Sequence, residues 1–126
     1  MIRFLVATVV ALASSAAVAG DPARFFGERH WSAVREFYNE QMRAGACPIG
    51  FAKKDDGCQP PHQARKWAAG KPIPPGAIRF DLPHALVEKL GKPPAGHRYV
   101  RVGADILLVS NRTKLVVGAI EDLGRK

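Results

Sequence analysis

Apolar residues recur at helical spacing early in the chain and at strand spacing late in it. Between the two the pattern breaks. Ala23, Phe26, His30, Val34 and Phe37 follow a helical period, as do Trp31, Val34, Tyr38 and Met42. At about 100° per residue they span an arc of roughly 160°, wide enough for a core-facing stripe. Arg29, Glu36, Asn39, Glu40 and Arg43 fall on the other side. The spacing predicts a helix over 22–44. Asp21 is a good N-cap, Pro22 suits the first helical position, and Gly45 is a plausible stop. Asp21, Glu28, Glu36 and Glu40 balance Arg24, Arg29, Arg35 and Arg43, which argues against a basic helix lying on a membrane.

The end of the chain is strand-forming. His97–Val102 reads HRYVRV, Asp105–Val109 reads DILLV, and Leu115–Ile120 reads LVVGAI. DILLV is apolar on both faces, so it should be a central strand covered on both sides. Gly103-Ala104 is a two-residue hairpin loop with Gly first, the type II′ pattern. Asn111-Arg112-Thr113-Lys114 makes the second turn. A meander over 97–123 needs a cover, and the helix over 22–44 is the long amphipathic element that can supply it. Trp31, Val34, Phe37, Tyr38, Ile106, Leu108, Val116 and Ile120 are the expected core.

Residues 46–96 behave differently. Eight of the ten prolines lie between Pro60 and Pro94. Proline removes a backbone donor and pushes its predecessor to extended angles, so long regular structure is not expected. Short helices fit at Gln63–Ala69 and Pro83–Leu90, and Ala77–Leu82 is a candidate edge strand. The stretch should wrap over a core. The expected class is α+β: one long amphipathic helix on a small antiparallel sheet, with a Pro-rich wrapping segment and one disulfide.

Residues 1–19 carry Arg3, an apolar run from Leu5 to Leu12, and an Ala17-x-Ala19 site. This is the grammar of a cleaved signal peptide. The fully apolar part is shorter than the ~20 residues that span a bilayer. Cleavage before Gly20 would leave a single domain, 20–126, in the periplasm or outside the cell, with no membrane span. In that oxidising setting the two cysteines, Cys47 and Cys58, should pair.

The full chain of 126 residues has a net charge of +8. Residues 43–101 hold eleven basic against four acidic residues, a surplus of +7, while 20–42 and 102–126 are nearly neutral. The basic surplus includes Lys53, Lys54, Arg65, Lys66, Lys71 and Arg101. Solubility is one reading of it. The other is docking to an acidic protein or an anionic envelope component, with Lys53, Lys54, Arg65, Lys66 and Lys71 as the contact patch. Trp67 beside Arg65-Lys66 offers a surface for stacking a base or sugar, although an exported protein is not expected to meet nucleic acid.

Catalytic patterns are missing. Ser32 and Ser110 lack a nucleophile-elbow context, and no glycine-rich loop joins a strand to a helix. The four histidines are scattered singly. His30 sits in the helix stripe and reads as a core histidine. His62, His84 and His97 are weak metal candidates, since only the fold could bring them together. No cofactor is expected, and binding of a metal ion stays open.

Residues 47–66, CPIGFAKKDDGCQPPHQARK, and residues 93–123, PPAGHRYVRVGADILLVSNRTKLVVGAIEDL, are distinctive. They resemble two blocks of the RcnB-like family of small exported bacterial proteins. The first block matches a CPPGLAKKxxGCxPPGQAKK pattern, with Ile49, Phe51 and His62 as departures. The resemblance covers most of 47–123 and leaves the helix over 22–44 outside. It implies an exported, non-enzymatic accessory or regulatory protein tied to nickel/cobalt homeostasis and acting through a protein partner. It supplies no catalytic residue. The alternative function is an envelope interaction module docking acidic surfaces through 43–101.

Overall fold

The computed structural model describes residues 25–55, 57–60 and 67–124. The element order is helix α1 (Glu28–Arg43), strands β1 (Ala52–Lys54), β2 (Gly57–Gln59) and β3 (Arg79–Phe80), helix α2 (His84–Leu90), then β4 (His97–Val102), β5 (Asp105–Ser110) and β6 (Val116–Ile120). A turn over Glu121–Gly124 follows, in which Asp122 and Leu123 take left-handed backbone angles. β3 to β6 form one antiparallel sheet in sequence order, and β1 and β2 form a separate hairpin. The class is α+β, as the periodicity predicts.

The meander matches its predicted boundaries closely. β4 runs over His97–Val102 and pairs with β5 from His97↔Ser110 to Val102↔Asp105. Gly103 has φ 59° and Ala104 is not left-handed, which is the backbone signature of a type II′ turn. β5 pairs with β6 across a bulge between Leu108 and Val109. The candidate strand at Ala77–Leu82 is real but short: Arg79 and Phe80 pair with Val102 and Arg101 at the sheet edge.

β5 is buried on both faces. Strand alternation sends Ile106 and Leu108 to one side, where they meet Val34 and Tyr38 of α1, Leu86 and Leu90 of α2, Phe26, Ile120 and Leu123. Leu107 and Val109 point to the other side, against Val100, Val102, Val116, Ala119, Trp67, Ile73 and Ala77. The helices therefore cover one face, and part of the Pro-rich segment covers the other. Six of the eight expected core residues are buried. Trp31 and Phe37 are only partly so and pack at the margin of the helix face.

Three differences from the sequence reading have physical causes. The described helix starts at Glu28, with Gly27 as its extended N-cap. The predicted start at Asp21-Pro22 lies outside the described residues. Phe26, ahead of the cap, turns into the core and packs over β6. Gly118 makes room for it, because a Cβ there would come within 3.2 Å of the Phe26 ring and 3.0 Å of Phe25. The second difference is the helix expected at Gln63–Ala69. Its first part lies outside the described residues, Trp67 and Ala68 are not helical, and Ala69-Gly70 is a turn. Gly70 and Lys71 bond to the backbone of Val116 instead, and Pro72 bridges to Leu115. The third is Trp67, which is buried and not a stacking platform. Its indole N–H donates to Asp105 Oδ2 at 2.7 Å, while Asp105 Oδ1 accepts from the Asp122 N–H at 2.9 Å. One carboxylate thus ties the wrap and the C-terminal turn to β5.

His30 closes the start of α1. The Gly27 N–H donates to His30 Nδ1 at 3.0 Å, so that nitrogen must be unprotonated. Burial, and secondarily Arg29, hold the His30 pKa below its ordinary value of 6.5. A lowered folded pKa means that the neutral form stabilises the fold. That contribution is complete above pH 6.5 and is lost as pH falls through the folded value. Between pH 7.5 and 5.5 the wild type should therefore lose more of its melting temperature than His30→Gln, which keeps an acceptor but does not titrate. Parallel melting curves across this range would show that His30 does not cap the helix.

Candidate docking surface

The disulfide segment carries the first part of the predicted patch. Cys47 and Cys58 are bonded, with their Cα atoms 5.5 Å apart. The bond ties Cys58 of β2 to the loop ahead of β1, and in the hairpin Lys53 faces Cys58 and Lys54 faces Gly57. Both lysines are exposed. A hairpin this short cannot bury enough apolar surface to stand alone, so the crosslink holds it.

Arg101 anchors the same segment and does not belong to the surface patch. It is 3% exposed. Its guanidinium donates to Gly103 O at 2.6 Å and to Ile49 O inside the disulfide loop. Its Cζ lies 4.4 Å from the Phe80 ring centroid and 5.7 Å from that of Phe51. Carbonyl dipoles and aromatic faces take the place of a carboxylate around this cation. Desolvation lowers its pKa from the ordinary arginine value, and Tyr38 opposes that shift. Desolvation likewise raises the pKa of Tyr38, with Arg101 opposing. The sequence held a partial signal. Strand alternation in HRYVRV puts Arg101 on the face of Tyr99, opposite Val100 and Val102. Nothing in the local pattern told that the disulfide loop would cover it.

Lys71 is exposed at the opposite end of the sheet, beside the start of β6. His62, Arg65 and Lys66 lie outside the described residues. The patch therefore attaches to the sheet at two separate ends. Arg79 is exposed but oriented, its guanidinium donating to Ile73 O at 3.0 Å.

The described histidines make separate contacts. His84 pairs with Glu88 at 3.0 Å on an exposed turn of α2. His97 Nδ1 lies 2.9 Å from Ala95 O, and its ring stacks with Phe25. Among the described residues no three His, Cys, Asp or Glu side chains gather to hold a metal ion. None of the described helices is long and apolar enough to cross a membrane.

Two comparisons find known proteins similar to this architecture. A family model described as "RcnB: Nickel/cobalt transporter regulator" matches residues 88–118, which span the end of α2, β4, β5 and the start of β6. A solved structure, the C-terminal domain of the inner membrane protein CigR from Salmonella enterica, is similar with a TM-score of 0.53 and 25% identity. The likeness covers 74% of this chain and 84% of that one. No curated protein matches the chain. The resemblance to the RcnB-like family is thus supported in sequence and in fold.

Proposed function

We propose that the chain is an exported, non-enzymatic accessory protein that acts in nickel/cobalt homeostasis by docking on an acidic partner protein. In this reading residues 1–19 are a cleaved leader, and 20–126 work in the periplasm. The nickel/cobalt assignment follows the description of the matching family model. Docking rests on one observation of this chain. Lys53, Lys54 and Lys71 are exposed and have no carboxylate partner among the described residues. Unpaired cations on a disulfide-fixed hairpin keep their field directed outward, which raises encounter rates with an acidic face. Arg65 and Lys66 extend the same basic surplus in sequence.

The contact should be salt-sensitive, because such charges are screened over about 8 Å at physiological ionic strength. Reversing Lys53, Lys54, Arg65 and Lys66 to Glu should abolish recovery of partners from envelope extract at low salt. High salt should weaken wild-type recovery in the same way. Lys53 and Lys54 are exposed, so their reversal should leave the melting temperature nearly unchanged. In a strain lacking the protein, the reversed variant should also fail to restore wild-type nickel content. Equal partner recovery by both proteins at low salt would refute docking through this patch.

A further inference from the structure

Arg79, Arg98 and Lys114 line one small cleft, of about 290 Å³, together with Pro72, Ile73 and Val109. They come from β3, from β4 and from the turn between β5 and β6. No carboxylate is among the lining residues. Strand alternation places Arg98 on the same face as Val100 and Val102, beside Val109, its partner on β5. Arg79 faces Val102 across β3 and β4 and is held by its bond to Ile73 O. Lys114 stands at φ 63°, a left-handed conformation that is uncommon outside glycine. Arg98 and Lys114 make no ion pair among the described residues.

We infer that this cleft binds a phosphate group, carried by a phosphate ester or by a lipid headgroup. Three cations held together without a counter-charge repel one another, and an anion relieves that repulsion. A single carboxylate would neutralise one of them. A phosphate presents several oxygens with distributed charge, which suits two guanidinium forks and an ammonium. The fixed Arg79 reduces the ordering cost of binding. The apolar floor of Ile73, Val109 and Pro72 leaves room for the carbon skeleton next to the phosphate. Lys71 of the proposed protein contact adjoins Pro72 of this cleft, but Lys53 and Lys54 stand apart from it on the β1–β2 hairpin, so variants there distinguish the two sites.

Glycerol 3-phosphate titrated into the full mature chain, followed by amide shifts in solution NMR, is the direct probe. The largest shifts should fall on residues 73, 98, 109 and 114. Arg98→Glu and Lys114→Glu, both at exposed positions, should each weaken binding by about tenfold or more, the range for losing a charge-assisted hydrogen bond. Lys53→Glu should leave it unchanged. Flotation with phosphatidylglycerol against phosphatidylcholine vesicles separates the sources. Retention on the anionic vesicles alone, lost in Arg98→Glu, identifies a headgroup, and binding of the soluble ester without retention identifies a free ester. If the ester and the anionic vesicles both bind no better than chloride and neutral vesicles, the inference is wrong. Undiminished binding by both reversed variants would equally overturn it.

Discussion

Leu108→Ala should lower the unfolding free energy by roughly 2–5 kcal/mol, the range for a fully buried leucine. Leu108 is 0% exposed and sits where three elements meet. It pairs with Tyr99 of β4 and Gly118 of β6, and its side chain enters the cluster built by α1 and α2. The high end of the range is expected because collapse is hindered on two sides. The strand ladder fixes the backbone, and the partner at the adjacent position on β6 is Gly118, which has no side chain to move into the space. Chemical denaturation of residues 20–126 measures the loss. A change under about 1 kcal/mol would show that β5 is not the centre of the fold.

Replacing Cys47 and Cys58 together by serine should cost up to ~3 kcal/mol, the chain-entropy estimate for a loop of this length. The sequence separation is 11. Local opening reduces the cost wherever the β1–β2 hairpin can detach without unfolding the sheet. Arg101 works against such detachment, since it binds Ile49 O from within the sheet. Amide exchange distinguishes the two outcomes. In the double variant, fast exchange at 52–59 with slow exchange over 98–109 indicates local opening alone, and acceleration at both indicates a global loss. A melting temperature equal to wild type, with exchange unchanged in both regions, would mean that the disulfide holds nothing.

The carboxylate–indole tie and the buried arginine show where sequence reading reaches its limit. Trp67 beside Arg65-Lys66 has the composition of a binding surface. Its fate was decided by Asp105, 38 positions away, which accepts its N–H. Arg101 counts as one more cation in a basic stretch, yet it is nearly as buried as the leucines. Neither outcome has a local signature, because both depend on which segment folds over which end of the sheet. The cleft at Arg79, Arg98 and Lys114 is of the same kind. Its cations are 35 positions apart at the extremes, and antiparallel pairing is what gathers them.

The sequence by itself determined the main elements and their order, but not the β1–β2 hairpin. Helical and strand periods, the Gly103-Ala104 turn and the doubly apolar DILLV are short-range properties, fixed by sterics and by the need to bury apolar side chains. They gave α1 apart from its beginning, α2, the meander and the edge position of β3, while the cysteine count and the expected oxidising setting gave the pairing of Cys47 with Cys58. The tertiary structure alone decided that helices and the Pro-rich wrap take opposite faces of one sheet. It also decided which cations face solvent and which are spent inside. The physical reason is that charge acts through its surroundings. The same guanidinium is a docking group in water and a structural tie when carbonyls and aromatic rings enclose it, and only the folded chain sets which it is.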